Sequence, residues 1–221
     1  MLVIALSAIP PRFGQLPRVL DALLAQGADR VALVTPRRYA RFDPAPLPAL
    51  PEGMTEGVTV LETETDLGPA GKLLAPAAAF PGADILYGDD DWLYGPGWLA
   101  AFKSERTVQP PNTVVAASTW TTERIGRRGG TIAQGFAGVL VPGTLAGRVA
   151  PPPPEAWAVD DIWLSGSFEG LGGRIVAAPG ARALCSPLAS PGALQARTDR
   201  DTANRATAAL VNDRFGIWPE G

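Results

Sequence analysis

The chain has 221 residues, 46% hydrophobic and 19% charged, which is enough apolar material for a sizeable core and too much for wholesale disorder. A formal net charge of −3, from 19 Lys and Arg against 22 Asp and Glu, supplies no general basic surface for a nucleic-acid backbone. There is no histidine, and the one cysteine, Cys185, leaves no internal disulfide; Ser-His-Asp and Cys-His catalysis and zinc clusters are excluded, so chemistry must rest on carboxylates, hydroxyls, Lys or Arg.

Residues 2–6 form a continuous apolar run, as a strand buried on both faces requires. The run lacks the basic segment of a signal peptide and leads directly into Ile9-Pro10-Pro11-Arg12. Leu16, Val19, Leu20, Leu23 and Leu24 repeat at helical spacing until Gln26-Gly27 ends the helix. A second apolar strand covers 31–34 and stops at Pro36, so the first two strands should be parallel. The Pro-rich stretch 37–57 reads mostly as loop. A third strand at 58–61, an Ala-rich helix at 73–80 and a fourth strand at 84–87 follow. Gly95-Pro96-Gly97 introduces a helix at 98–102, and 114–117 is again strand. In the second half, 121–135 and 147–154 read as loops around a strand at 139–141. A helix at 160–169, a strand at 174–178 and a C-terminal helix at 202–215 complete the order. No repeat is present, and no apolar run approaches the ~20 residues that span a bilayer. The expectation is a single α/β domain with its nucleotide-binding half first and a cytoplasmic location.

Three groups of residues can carry chemistry. Ala83-Asp84-Ile85-Leu86-Tyr87-Gly88-Asp89-Asp90-Asp91 delivers three carboxylates at the C-terminal end of a buried strand, where open α/β sheets place ligands. In an extended segment Asp89 and Asp91 share a side, with Asp90 opposite, and such a pair favours an oxygen-loving divalent cation, Mg2+ or Mn2+. The bland alternative is a solvated acidic turn capping the next helix. Thr65-Asp66-Leu67-Gly68-Pro69-Ala70-Gly71-Lys72 opens a helix with a Gly-Pro turn and one lysine, a place where anions are attracted. Asp160-Asp161 precedes Ile162-Trp163-Leu164, where plain complementation of the helix dipole competes with a functional role.

In chain order, these pieces resemble successive blocks of a glycosyltransferase group with the GT-A fold, related to the large family-2 transferases. The blocks are Ser7-Ala8-Ile9-Pro10-Pro11-Arg12-Phe13, then 66–74, then Asp89-Asp90-Asp91, Gln134-Gly135-Phe136-Ala137-Gly138-Val139 and 159–166, with 201–204 through Phe215-Gly216-Ile217-Trp218 at the end. The resemblance implies one GT-A, Rossmann-like domain with a mostly parallel mixed sheet flanked by helices. Residues 1–118 would form its nucleotide- and metal-binding half and 119–221 its acceptor side. It implies a hexosyltransferase-like enzyme that uses a nucleotide-diphospho-sugar, with UDP the expected base, and a glycan, lipid or protein acceptor. Asp89 and Asp91 would hold Mn2+ or Mg2+ in a DXD-type element. Ser7, Pro10, Arg12, Asp66, Lys72, Asp89 and Asp90 would surround the donor. Asp161 would be the base of an inverting reaction, and Asp160 would cap its helix. Relatives with a C-terminal histidine metal ligand have no counterpart here, so the cation would rest on aspartates, phosphates and water. The arginines and paired glycines of 121–135 suggest a mobile segment that orders over the donor diphosphate or an acidic acceptor, with a merely solvated surface loop as the alternative.

Two other classes stand beside the transferase: a GT-A scaffold that binds nucleotide-sugar or glycan without turnover, and a phosphoryl-transfer enzyme or phosphatase using the acidic triplet. The latter lacks a G-x-x-x-x-G-K-[ST] loop and an evident covalent nucleophile. A dehydrogenase fits worse, because the first strand leads into Pro10-Pro11 and not a G-x-G-x-x-G turn.

Overall fold

The computed structural model describes residues 1–42, 50, 53, 56–192 and 199–221. In chain order it contains β1 (Leu2–Ser7), α1 (Leu16–Leu24), β2 (Arg30–Pro36), β3 (Val58–Thr63), α2 (Gly71–Ala79), β4 (Asp84–Asp89), β5 (Trp92–Tyr94), α3 (Trp98–Thr107), β6 (Thr113–Ala116), β7 (Thr119–Thr121), β8 (Thr131–Ala133) and β9 (Val139–Val141). There follow α4 (Gly143–Ala146), α5 (Asp160–Gly170), β10 (Arg174–Ala177), α6 (Pro179–Arg182), β11 (Cys185–Pro187) and α7 (Arg200–Phe215). The loop expected over 37–57 lies in large part outside the described residues.

One seven-stranded sheet, in the order β10-β6-β9-β4-β1-β2-β3, runs through both halves of the chain. All its pairings are parallel except those of β9, which lies antiparallel between β4 and β6. This is the expected mixed, mostly parallel α/β sheet. Alternate residues of the central strands feed two cores: Val3, Ala5, Ile85 and Tyr87 pack with residues of α2 and α5, while Ile4, Leu6 and Leu86 pack with those of α1 and α3. Burial on both faces is why β1 reads as an unbroken apolar run.

Register brings the strand ends level. Ser7 pairs with Val34 on one side and Asp89 on the other, so β1, β2 and β4 finish along one edge. Because β1 lies between β2 and β4, the chain reverses its direction of winding there, which opens a crevice beyond the C-terminal ends.

The segment 121–135 departs from the expected mobile loop. β7 and β8 form an antiparallel hairpin around a 3-10 turn, Thr122–Ile125. The C-terminal residues brace it: Arg127 bridges to Glu220, and the Arg128 backbone N–H donates to the Pro219 carbonyl (3.0 Å). Glu169 accepts from the Thr131 N–H (3.1 Å) and from the Trp218 indole (2.6 Å), tying α5 to both. Hydrogen exchange across 124–130 should therefore be unchanged by UDP with Mn2+; a gain in protection on ligand addition would restore the lid.

Candidate active site

The crevice is a cavity of about 360 Å3 at the C-terminal sheet edge. Ser7, Arg12, Asp66, Lys72, Asp89, Asp90, Asp91, Asp160 and Asp161 all line it. Pro10 does not: it starts the 3-10 turn Pro10–Gln15 behind the lining residues Ala8 and Ile9, so of the expected donor-side residues it alone is set back from the cavity.

The triplet divides its work differently from the alternation expected of it. Strand pairing ends at Asp89, and Asp90 and Asp91 form a turn before β5, so the two-residue period stops where it was needed. Asp90 is buried, accepting from the Arg12 guanidinium (2.5 Å) and the Ile9 N–H (3.1 Å). Burial pushes its carboxyl up to about 6 against the opposing pull of Arg12. Asp91 accepts from the Ser190 hydroxyl (2.5 Å) and pairs with Arg12 (3.1 Å), whereas Asp89 pairs with Lys72 (2.6 Å). Asp89 and Asp91 thus have separate partners, and Arg12 is already matched by two aspartates.

Lys72, the one lysine at the opening of α2, is buried between Asp89 (2.6 Å) and Asp160 (3.1 Å). Burial works against its charge, but Asp160, Asp89 and Asp161 outweigh it, and the ammonium is held protonated well above its ordinary range. Gly135 makes room for it, since a Cβ there would lie 2.6 Å from Nζ. Asp160 is not the helix cap: Val159 takes that position without a side-chain bond, and Asp160 turns to Lys72. Asp161, in the first turn of α5, accepts from the Gly135 N–H (2.9 Å). Burial and the neighbouring Asp160 raise its carboxyl to about 7, opposed by Lys72. Both acids line the cavity, because a 100° step still leaves two neighbours on one wall of a wide crevice.

Asp66 accepts from the Ala40 and Gly68 N–H groups (2.8 Å each), which fixes the turn opening α2. The Trp157 indole donates to its carbonyl (3.0 Å) and packs so closely on Gly68 that a Cβ there would lie 2.6 Å from the ring, while the φ of +61° favours glycine in its own right. Trp92, Phe136, Gln134, Trp157, Arg41 and Arg200 also line the cavity and were not singled out as site residues from the sequence. For Trp92 the available signal was its place directly after the triplet, and for Phe136 its place in the Gln134–Val139 block.

Among the described residues no group of three His, Cys, Asp or Glu could hold a metal ion. The chain offers a cation two carboxylates, Asp89 and Asp91, each already sharing an oxygen with another side chain. Such an all-oxygen donor set fits Mg2+ or Mn2+ only if phosphate oxygens and water complete the shell.

No family model matches the chain, and no curated protein does. Solved structures do. A mannosyltransferase from Pyrobaculum calidifontis, in complex with GDP-Man and Mn2+, is 16% identical with a TM-score of 0.59, over 97% of this chain and 74% of that one. Glucosyl-3-phosphoglycerate synthase from Mycobacterium tuberculosis, with Mn2+, UDP and phosphoglyceric acid, is 15% identical with a TM-score of 0.59, over 100% and 80%. A 4-diphosphocytidyl-2C-methyl-D-erythritol synthase is 17% identical with a TM-score of 0.51, over 94% and 97%. The chain has the GT-A fold of the nucleotide-sugar transferases, and that architecture by itself does not select one reaction.

Proposed function

We propose that the chain is a metal-dependent glycosyltransferase that moves a sugar from a nucleotide-diphospho-sugar, UDP-linked by preference, to an acceptor hydroxyl. The charge of the cavity carries this reading. Six aspartates and four basic side chains line it, and the two basic groups nearest the triplet, Arg12 and Lys72, are already paired with carboxylates. A bare diphosphate would be repelled from such a wall, whereas a diphosphate accompanied by a divalent cation would not. The bound ligands of the mannosyltransferase and of the phosphoglycerate synthase, a nucleotide with Mn2+ in each, support the same pairing.

Asp89 and Asp91 would hold Mn2+ or Mg2+ from the protein side. When bound, the cation supplies neutralising charge for the departing diphosphate. Ser7, at the end of β1, and the Asp66 turn would flank the nucleotide. Asp161 would take the proton of the acceptor hydroxyl as that oxygen attacks the anomeric carbon, and a carboxyl raised to about 7 is matched to proton removal near neutrality. The Gly135 N–H fixes the carboxylate's direction, and Lys72 limits how far burial raises it. In this assignment 1–118 bind the donor and 119–221 furnish the acceptor side. No helix among the described residues is long and apolar enough to cross a membrane. The buried free thiol of Cys185 needs no oxidising compartment, which supports a cytoplasmic setting.

Calorimetry with UDP, GDP and CDP, each with Mn2+ and with chelator, tests the reading. The preferred diphosphate should lose at least about tenfold in affinity on chelation, and at 100 times its Kd should stabilise the fold by about 2.7 kcal/mol. Equally tight binding without metal would overturn it. Metal-dependent binding with neither transfer nor slow donor hydrolysis would instead leave a scaffold without turnover.

A further inference from the structure

We infer that Trp92 and Phe136 form an aromatic wall that receives the acceptor, and that the acceptor therefore presents a pyranose ring. The inference rests on the transferase reading and adds the chemical class of its second substrate. The two rings lie with centroids 4.6 Å apart at 34°, and both line the cavity. Their support is built in. The Arg182 guanidinium lies 4.8 Å from the Trp92 ring and 5.3 Å from that of Phe136, and donates to the Cys185 carbonyl (3.2 Å). The buried Tyr94 hydroxyl accepts from the Asp89 N–H (2.7 Å) and lies 3.1 Å from the Phe136 carbonyl, so the end of the triplet strand and the wall share one anchor.

Sheet order assigns the wall to the acceptor rather than to the nucleobase. Trp92 follows β4 and Phe136 precedes β9, the neighbour of β4 on the side away from β1. Val34 and Thr63, which also line the cavity, lie toward the ends of β2 and β3 on the opposite side of the triplet. A donor spread from those strands to Asp89–Asp91 leaves the β9 side for the other reactant. Asp161 is on that side as well, since it is held by Gly135, the residue before Phe136. The nearby Gln134 amide is fixed by the Ser118 hydroxyl (2.9 Å). Apolar ring faces bounded by a carboxylate and an amide match a sugar, whose C–H face is apolar and whose rim is hydroxyl.

Saturation-transfer NMR with methyl α-glucoside, galactoside and mannoside, in the presence of UDP and Mg2+, reads this contact directly. Irradiating the aromatic protons should saturate ring C–H protons of at least one glycoside. W92L and F136L should each weaken that glycoside about fivefold to tenfold, W92F should recover most of the loss, and UDP affinity should hold within about twofold. If the wild-type protein binds no nucleoside diphosphate, the transferase reading fails first. If UDP binds but no glycoside is saturated, or if the variants weaken UDP instead, the acceptor wall is wrong. Should W92L not fold, F136L with W92F decides the same question.

Discussion

Asp161→Asn should lower sugar transfer at least about 100-fold while UDP and Mn2+ affinities stay within about twofold, because a general base acts on the acceptor and contributes 10²–10⁴-fold. Asn retains an oxygen to accept from the Gly135 N–H, so the local geometry survives and the proton acceptor alone is lost. The wild-type rate kcat/KM should rise with pH through about 7 as Asp161 ionises, and the Asn variant should lose that limb. Stability carries the opposite sign. A carboxyl raised above its unfolded value binds its proton more tightly in the folded protein, so its contribution is present at low pH and lost as pH rises from about 4 through about 7. Urea titrations should show that slope reduced in the variant. If Asp161→Asn keeps full transfer, or loses nucleotide binding instead, the base is elsewhere. Asp160→Asn should act through Lys72, lowering stability more than a capping residue would, with transfer largely kept.

Lys72→Met should be the most destabilising single change in the cavity, by about 3–5 kcal/mol at pH 7, because it strips the buried charge that the half-buried Asp89 and the buried Asp160 are paired with and leaves both in place. Asp89 and Asp160 lose an ion pair, and Asp161 loses the positive charge that helps the Gly135 N–H hold its carboxyl down. The ammonium's own contribution is complete at neutral pH, since its raised value means the proton is lost only in strongly alkaline solution. The penalty should shrink toward pH 5, below the value of about 7 to which Asp161 is raised, where that carboxyl carries its proton. Denaturant unfolding at pH 5 and 7 measures both quantities, and a loss under about 1 kcal/mol at pH 7 would show that water replaces the ammonium without cost.

How far this could be read from sequence follows from the range of the forces involved. β1, β2 and β9 announce themselves because burial on both faces demands continuous apolar residues, and α1 because its apolar period is regular. β5, β7, β8 and β11 do not, being as short as β9 but without its unbroken buried apolar run; Cys185–Pro187 is a strand only because it pairs with Trp92–Tyr94, some 90 positions earlier. The site divides in the same way. Asp89, Asp160 and Asp161 stand out as candidates through the ordered blocks, but the burial of Lys72 between Asp89 and Asp160 does not, because it requires α5 to pack beside the end of β4. The alternation argument for Asp90 and Asp91 failed for a local reason, because the strand stops at Asp89, two residues short of Asp91.

The position of β9 constrains the order in which the chain can become native. Residues 1–118 contain β4 and β6, but these strands do not touch; the slot between them stays open until residues 139–141 arrive and insert antiparallel. While the chain is being synthesised, residues 1–118 therefore hold the four-stranded part β4-β1-β2-β3 and a separate β6 whose partners β9 and β10 come later, with an unpaired edge on β4 directly beside the triplet. The loop that must close to fill that edge spans some 50 residues, so insertion of three residues should be the slow step of folding, and fragments ending near residue 118 should associate through the open edge rather than bind nucleotide.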